Sequence, residues 1–301
     1  MVQTPVNRSS SRPVPATLRV AAAQMNSTSS VERNIAKITA MIRAARRRRA
    51  GALLLPECAL TSYLAHPAAI GRTRVSEGLR EISRLAAEHQ IAVLVGSPLW
   101  VGRRIHNCLV VFAADGRAIH AYAKCQLTPG DRAVYSPGNA VSLFELGGVP
   151  ATAIICHERR YPELVRLPVM MGARVLFHPN AGLDALRVSR TKRNGRDGAV
   201  PRAFENAIFY VFANTVGPQD NGKWSAGDTK IVAPDTTRLD WIGNREEGLA
   251  VATLNLALAT GRYAADSRQQ PRFMAPFWRG MIRAAQVRQR TDNARLLGAL
   301  K

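Results

Sequence analysis

The feature that most constrains this chain is an alternation that begins at Leu18 and continues for most of its length. Leu18–Gln24 is a short apolar run of strand character, and Val31–Arg49 follows with Ile35, Ile38 and Ile42 at helical spacing behind Ser29 or Ser30 as N-cap. Ala52–Leu55 reads as a second buried strand, Ser76–His89 as a helix with Leu79, Ile82, Leu85 and Ala86 on one face, and Ile91–Gly96 as a third strand. Asn107–Ala113 and Ala118–Ala123 flank Asp115-Gly116, a hairpin signal. Beyond these, Thr152–Ile155, Val175–Phe177, Ile208–Ala213 and Leu249–Leu254 read as strands, Pro162–Met171 as a helix, and Gly217–Asp228 as turn-rich. Strand–helix alternation mixed with hairpins predicts a layered α/β domain with a mixed sheet. No linker interrupts residues 18–265, so they are expected to form one domain.

Both ends differ from that body. Residues 1–17 carry Ser, Pro and Arg and no acid, and are expected to form a flexible arm. The arm has no apolar core of a secretory signal, and Pro5, Pro13 and Pro15 spoil the helix of a transit peptide. Residues 266–301 form a basic C-terminal extension, in which Arg283–Leu297 has the pattern of a basic amphipathic helix; its expected place is a subunit interface of a homodimer or higher homo-oligomer.

Charge gives a second constraint. Six lysines and 36 arginines face 21 acids, a net charge of +21. Such a balance suits polyanions, but the arginines are spread along the chain with no nucleic-acid motif, which favours a solvated basic surface over a nucleic-acid partner. The clusters are Arg46 to Arg49 and the tail. No apolar run approaches the ~20 residues of a membrane span. Four cysteines, at 58, 108, 125 and 156, form no CxxC pair, which fits a reducing, cytoplasmic setting and no zinc site.

The chemistry is written just after three apolar runs. Glu57 follows Ala52–Pro56, Lys124 follows Ile119–Ala123, and Cys156 follows Ala151–Ile155. In layered α/β proteins, sites gather beyond the carboxyl ends of strands. Brought into one pocket, the thiol would attack a carbonyl, the carboxylate would take its proton, and the ammonium would hold the oxyanion. Each residue alone is weak: such a Glu is commonly a cap, such a Lys a solvated charge, such a Cys an inert core thiol.

Together they resemble the nitrilase, or carbon–nitrogen hydrolase, superfamily. Leu53-Leu54-Leu55-Pro56-Glu57 resembles its glutamate motif. Tyr122-Ala123-Lys124, with Ser136-Pro137-Gly138-Asn139, resembles its lysine motif, and the run from Ile155-Cys156-His157-Glu158 to Arg159-Arg160-Tyr161-Pro162-Glu163 its nucleophile motif. Arg202–Asn206, Ala213-Asn214 and Ser225–Asp228 match as well, so the resemblance spans about Leu18 to Leu258. It implies a four-layer αββα sandwich with mixed sheets, usually paired across a two-fold axis. It also implies a Glu57 general base, a Lys124 that stabilises the oxyanion, a Cys156 nucleophile that forms a thioester, and no cofactor or metal.

Two positions depart from the family pattern. Asp131 stands where many members have a second Glu, one methylene longer, and Gln126 where many amidases have His. Arg159 and Arg160 resemble the N-carbamoyl-D-amino-acid hydrolase branch, where such arginines hold a substrate carboxylate; Arg159 is the more informative, because an Arg at 160 is widespread in the superfamily. His178 and Asn180, after a strand, are further candidates for the substrate pocket, and Arg187, Arg190, Lys192, Arg193 and Arg196 offer an alternative anion contact. His157 beside Cys156 reads as packing, since neighbouring side chains point apart. The expected activity is hydrolysis of a small linear amide or N-carbamoyl compound. A nitrilase acting on a nitrile, a glutaminase-like ammonia supplier and a polyanion binder on a hydrolase scaffold are the alternatives.

Overall fold

A computed structural model describes residues 14–191, 199–219 and 222–300, without the side chains of residues 190, 191 and 199. Most of the N-terminal arm, and the candidate anion contacts Arg190, Lys192, Arg193 and Arg196, lie outside what is described. The strands are β1 (Thr17–Gln24), β2 (Ala52–Leu54), β3 (Ala92–Val101), β4 (Arg104–Phe112), β5 (Ala118–Ala123), β6 (Phe144–Leu146), β7 (Val149–Ala153), β8 (Val175–Asn180), β9 (Leu183–Asp184), β10 (Phe209–Asn214), β11 (Val216–Pro218), β12 (Trp224–Ala226), β13 (Lys230–Val232), β14 (Arg238–Trp241) and β15 (Gly248–Asn255). The α-helices are α1 (Val31–Arg47), α2 (Pro67–Ile70), α3 (Arg72–His89), α4 (Pro129–Arg132), α5 (Glu163–Met170), α6 (Leu186–Thr191), α7 (Ala199–Asn206), α8 (Arg262–Ser267) and α9 (Ala275–Gly298).

Two six-stranded mixed sheets carry the fold, in the orders β15-β1-β2-β3-β4-β5 and β14-β13-β10-β8-β7-β6. The strand period of two divides their side chains between layers. Val20, Ala22, Leu54, Leu94, Leu109 and Val111 point inward to meet Phe177, Phe209, Val211 and Ala213 of the other sheet. Ala21, Ala23, Leu53, Val93, Val95 and Val110 point outward, under Ile38 and Ile42 of α1 and Leu79, Ile82 and Leu85 of α3. Leu176, Tyr210 and Phe212 face the opposite outer layer with Val165, Val169, Ala203 and Ala264 from α5, α7 and α8. The architecture is the expected αββα sandwich. The central strands β2, β8 and β10 are buried on both faces because both faces are covered.

The differences from the sequence reading have local causes. Strand β3, expected to end at Gly96, runs on through Ser97 and Pro98 to Val101, with a reversal at Gly102. Gly96 stays in the strand because the chain around Glu57 packs where its Cβ would be. The turn-rich segment hides β11 and β12, which pair with β9 in a small third sheet too short to show periodicity. The C-terminal helix starts at Ala275, eight residues before the amphipathic stretch, and lies along the edge strand β5. Ala121 N–H donates to Asn293 Oδ1 (2.9 Å) and Gln289 Nε2 to Leu143 O (2.9 Å). Ile282 joins the outer core of the second sheet and Leu296 that of the first, so the tail covers an edge that would otherwise expose unpaired backbone groups.

Candidate active site

Strands β2 and β5 run in the same direction, as do β7, β8 and β10, and the three candidate residues leave the sandwich at these carboxyl ends. Glu57 is fully buried and its carboxylate is held by three donors. Oε1 accepts from Lys124 Nζ (2.8 Å) and Asn107 Nδ2 (2.8 Å), and Oε2 accepts from Ala181 N–H (3.1 Å). Lys124 is equally buried and also pairs with Asp131 Oδ2 (2.8 Å). Burial opposes its charge, but the neighbouring Glu57, Cys156 and Asp131 override that and raise its pKa well above the ordinary lysine value. The Lys124 backbone is pinned by Asn107 and by Gly138, whose N–H donates to Lys124 O (2.9 Å). A Cβ on Gly138 would lie 2.2 Å from Ala123 O, so only glycine lets that segment approach.

Asp131 reaches Lys124 despite its shorter side chain because of the helix it sits on. Helix α4 opens with a capping box: Thr128 caps Asp131 N–H (3.1 Å), and Asp131 Oδ2 accepts from Thr128 N–H (2.9 Å). Oδ1 accepts from Tyr63 OH (2.8 Å). Burial pushes the Asp131 carboxyl up, while Lys124 and these donors outweigh it and hold its pKa below the usual value.

Cys156 opens a single 3₁₀ turn, Cys156–Arg160, with φ of +49°, a conformation that a side chain bearing Cβ adopts only under local constraint. Its carbonyl oxygen accepts from His178 Nε2 (3.0 Å) and Arg159 Nη1 (3.3 Å). A carbonyl can only accept, so His178 carries its proton on Nε2. Burial, then Arg159, depresses the pKa of His178 far below 6.5, so the ring is neutral; Nδ1 therefore accepts from Tyr210 OH. The Cys156 thiol is pushed up to about 12, first by burial and then by the Glu57 charge, with Lys124 and Arg159 pulling the other way. The resting group is thus a thiol, with a carboxylate and an ammonium acting on it.

A cavity of about 520 Å³ opens over Cys156, lined by Tyr63, His157, Arg159, Arg160, Asn180 and Asn214 among others. Of the four candidate substrate residues, Arg159, Arg160 and Asn180 line it, while His178 lies behind Cys156 with both ring nitrogens engaged. Arg159 Nη1 also donates to Asn180 Oδ1 (3.3 Å), and Asn180 Nδ2 to Asn214 Oδ1 (2.8 Å), so the cavity wall is one connected polar network. Asn107, Tyr63, Tyr210 and the Ala181 amide escaped the sequence reading. They are far along the chain from the residues they touch, and nothing in their local pattern marks them. Among the described residues, no group of His, Cys, Asp or Glu side chains could hold a metal ion, and no helix is long and apolar enough to cross a membrane.

The layered α/β sandwich holds a buried carboxylate–ammonium pair near a cysteine, and the comparisons place such a chain among the carbon–nitrogen hydrolases. The family model for carbon–nitrogen hydrolases matches residues 19–262. An (R)-stereoselective amidase of Pseudomonas is 28% identical over 207 residues, 68% of this chain and 73% of that protein. A nitrilase of Pyrococcus abyssi is 27% identical over 257 residues, 81% of this chain and 92% of that one. In fold, a mutant of the Nesterenkonia AN1 amidase, from the nitrilase superfamily, superposes with a TM-score of 0.74 at 23% identity, covering 90% of this chain and 100% of the other. The chain belongs to the carbon–nitrogen hydrolase family, and it is an enzyme of that class.

Proposed function

We propose that the protein hydrolyses a small linear amide or N-carbamoyl compound through a thioester on Cys156. The observation that carries this reading is the Glu57–Lys124–Asp131 cluster held beneath the half-buried Cys156 at the floor of a cavity. Glu57 takes the thiol proton as sulfur attacks the carbonyl carbon, and the charge that develops on oxygen falls to Lys124. The C–N bond breaks, Glu57 returns the proton to nitrogen, and ammonia or amine leaves. Water then attacks the thioester with Glu57 again as base, releasing the acid and restoring the thiol. Asp131 keeps Lys124 protonated and in place.

The half-buried Arg159 on the cavity wall, with Arg160 beside it, supports a substrate that carries a carboxylate, as an N-carbamoyl amino acid does. Ammonia release from purified protein with N-carbamoyl amino acids, neutral amides and nitriles tests this reading. Arg159→Leu is expected to weaken the carboxylate-bearing substrate by roughly 2–4 kcal/mol in kcat/KM and its neutral counterpart much less. An unchanged ratio would remove the carboxylate reading, and turnover of nitriles alone would make the enzyme a nitrilase.

The protein is further proposed to act in the cytoplasm as a homodimer or higher oligomer. The exposed Phe273, just before the C-terminal helix, and Phe277 and Met281 in its first turns support an association surface. Light scattering of the wild type and Phe277→Glu tests it; a wild-type monomer would overturn it.

A further inference from the structure

We infer that Glu158 is a positioning residue that ties the Cys156 turn to the Lys124 loop and thereby sets where nucleophile and ammonium meet. The inference rests on the proposed roles of Cys156 and Lys124.

Glu158 is fully buried and touches no cation among the described ion pairs. Its charge is carried by four donors. Oε2 accepts from Ile155 N–H (2.7 Å), the residue before the nucleophile. Oε1 accepts from Cys125 N–H (2.7 Å), Gln126 N–H (3.2 Å) and Tyr122 OH (2.8 Å), so Lys124 is bracketed by one donor before it and two after it along the chain. One oxygen therefore holds the loop leaving the first sheet, and the other holds the turn leaving the second. All four partners donate to the carboxylate, an arrangement that suits an ionised acceptor.

Burial alone raises the Glu158 pKa, and the backbone donors oppose it. A charge so placed costs stability unless every lone pair is satisfied. An apolar residue would pack here without that cost but could not join two separate backbone segments. The left-handed φ of Cys156 needs support from its surroundings, and Glu158 supplies it one residue upstream while the His178 and Arg159 bonds supply it at the Cys156 carbonyl. Reaction geometry is sensitive to displacements of about 1 Å, so a loosened tie is felt at the chemical step rather than in substrate affinity.

The test is Glu158→Gln, which keeps the shape but turns an NH₂ toward one of the two segments. Turnover of the best amide from the substrate screen should fall about tenfold to a hundredfold, what losing one or two charge-assisted hydrogen bonds converts to. KM should stay within about threefold, and alkylation of Cys156 by iodoacetamide should slow in step with kcat. Tyr122→Phe, which removes a single donor and leaves the carboxylate, should give a smaller loss of the same kind, and it serves as the test if Glu158→Gln does not fold. Cys156→Ala is run alongside. If it keeps turnover, the reading of the nucleophile fails; if it is dead while folded Glu158→Gln, or Tyr122→Phe in its stead, has normal kcat and normal alkylation, the positioning role alone fails. A fall in melting temperature with kcat unchanged would mark Glu158 as merely structural.

Discussion

Gly96 lies directly against Glu57. A Cβ placed on it would come 2.8 Å from Glu57 Cα, 2.4 Å from Pro56 O and 2.5 Å from Cys58 N, all of them backbone atoms that no rotamer change can move. The missing side chain of β3 is thus what allows the turn after β2 to carry its carboxylate down to Lys124.

Gly96→Ala must therefore push the Glu57 segment away. We expect a destabilisation of about 1–3 kcal/mol, typical of overpacking, and a fall in kcat/KM of about a hundredfold from displaced chemistry. Denaturant melts together with steady-state kinetics check both. Wild-type kinetics in this variant would mean that the Glu57 position is not critical.

Glu57→Gln keeps the shape and removes the proposed base, and Lys124→Met removes the ammonium. Each should lower kcat by at least about a hundredfold, the lower range for a positioned acid–base group. Chemical quenching should show no acyl-enzyme accumulating in Glu57→Gln. A burst of product in that variant would move the base elsewhere.

The Cys156 thiol, held at about 12 rather than the ordinary 9.0, is uncharged throughout the neutral range. A group with a raised pKa keeps its proton until pH passes the raised value. Alkylation of Cys156 should therefore show no inflection from about pH 7 to about pH 10, where an unperturbed thiol would titrate. Mass spectrometry of the modified cysteine reads this directly, and a step near pH 9.0 would contradict the assigned environment. Cys156→Ala should be folded and inactive.

Asp131→Asn leaves Lys124 with Glu57 as its remaining carboxylate. Because that charge stays neutralised, the loss should be about 1–3 kcal/mol, that of an unsatisfied buried group, below the about 3–5 kcal/mol of a stripped buried pair. Asp131→Glu, the usual residue at that place in a capping box, should retain more kcat/KM than Asn. Urea unfolding and turnover of the three proteins decide it.

The layers were legible in the sequence because the central strands are short apolar runs and helices such as α1 show one apolar face, as in Ile35, Ile38 and Ile42. The positions of Glu57, Lys124 and Cys156 were legible too, since each stands just past such a run within a recognisable motif. Their meeting was implied only by the family resemblance, not by any local pattern. Glu57 and Lys124 leave one sheet and Cys156 leaves the other, and only the stacking of the two sheets brings the three ends together. For the same reason no local pattern pointed to Asn107 on Glu57, Tyr210 behind His178, or Glu158 across both loops: hydrogen bonds between segments 30 to 50 residues apart leave no periodic trace. His178 shows the limit from the other side. Its place at a strand end suggested the cavity, and the pleat of β8 turned its ring to the carbonyl of Cys156 instead. Residue types at strand ends determined what chemistry the chain can perform; the packing of two sheets decided which groups touch, because contact across layers depends on register and side-chain direction, which only the folded chain specifies.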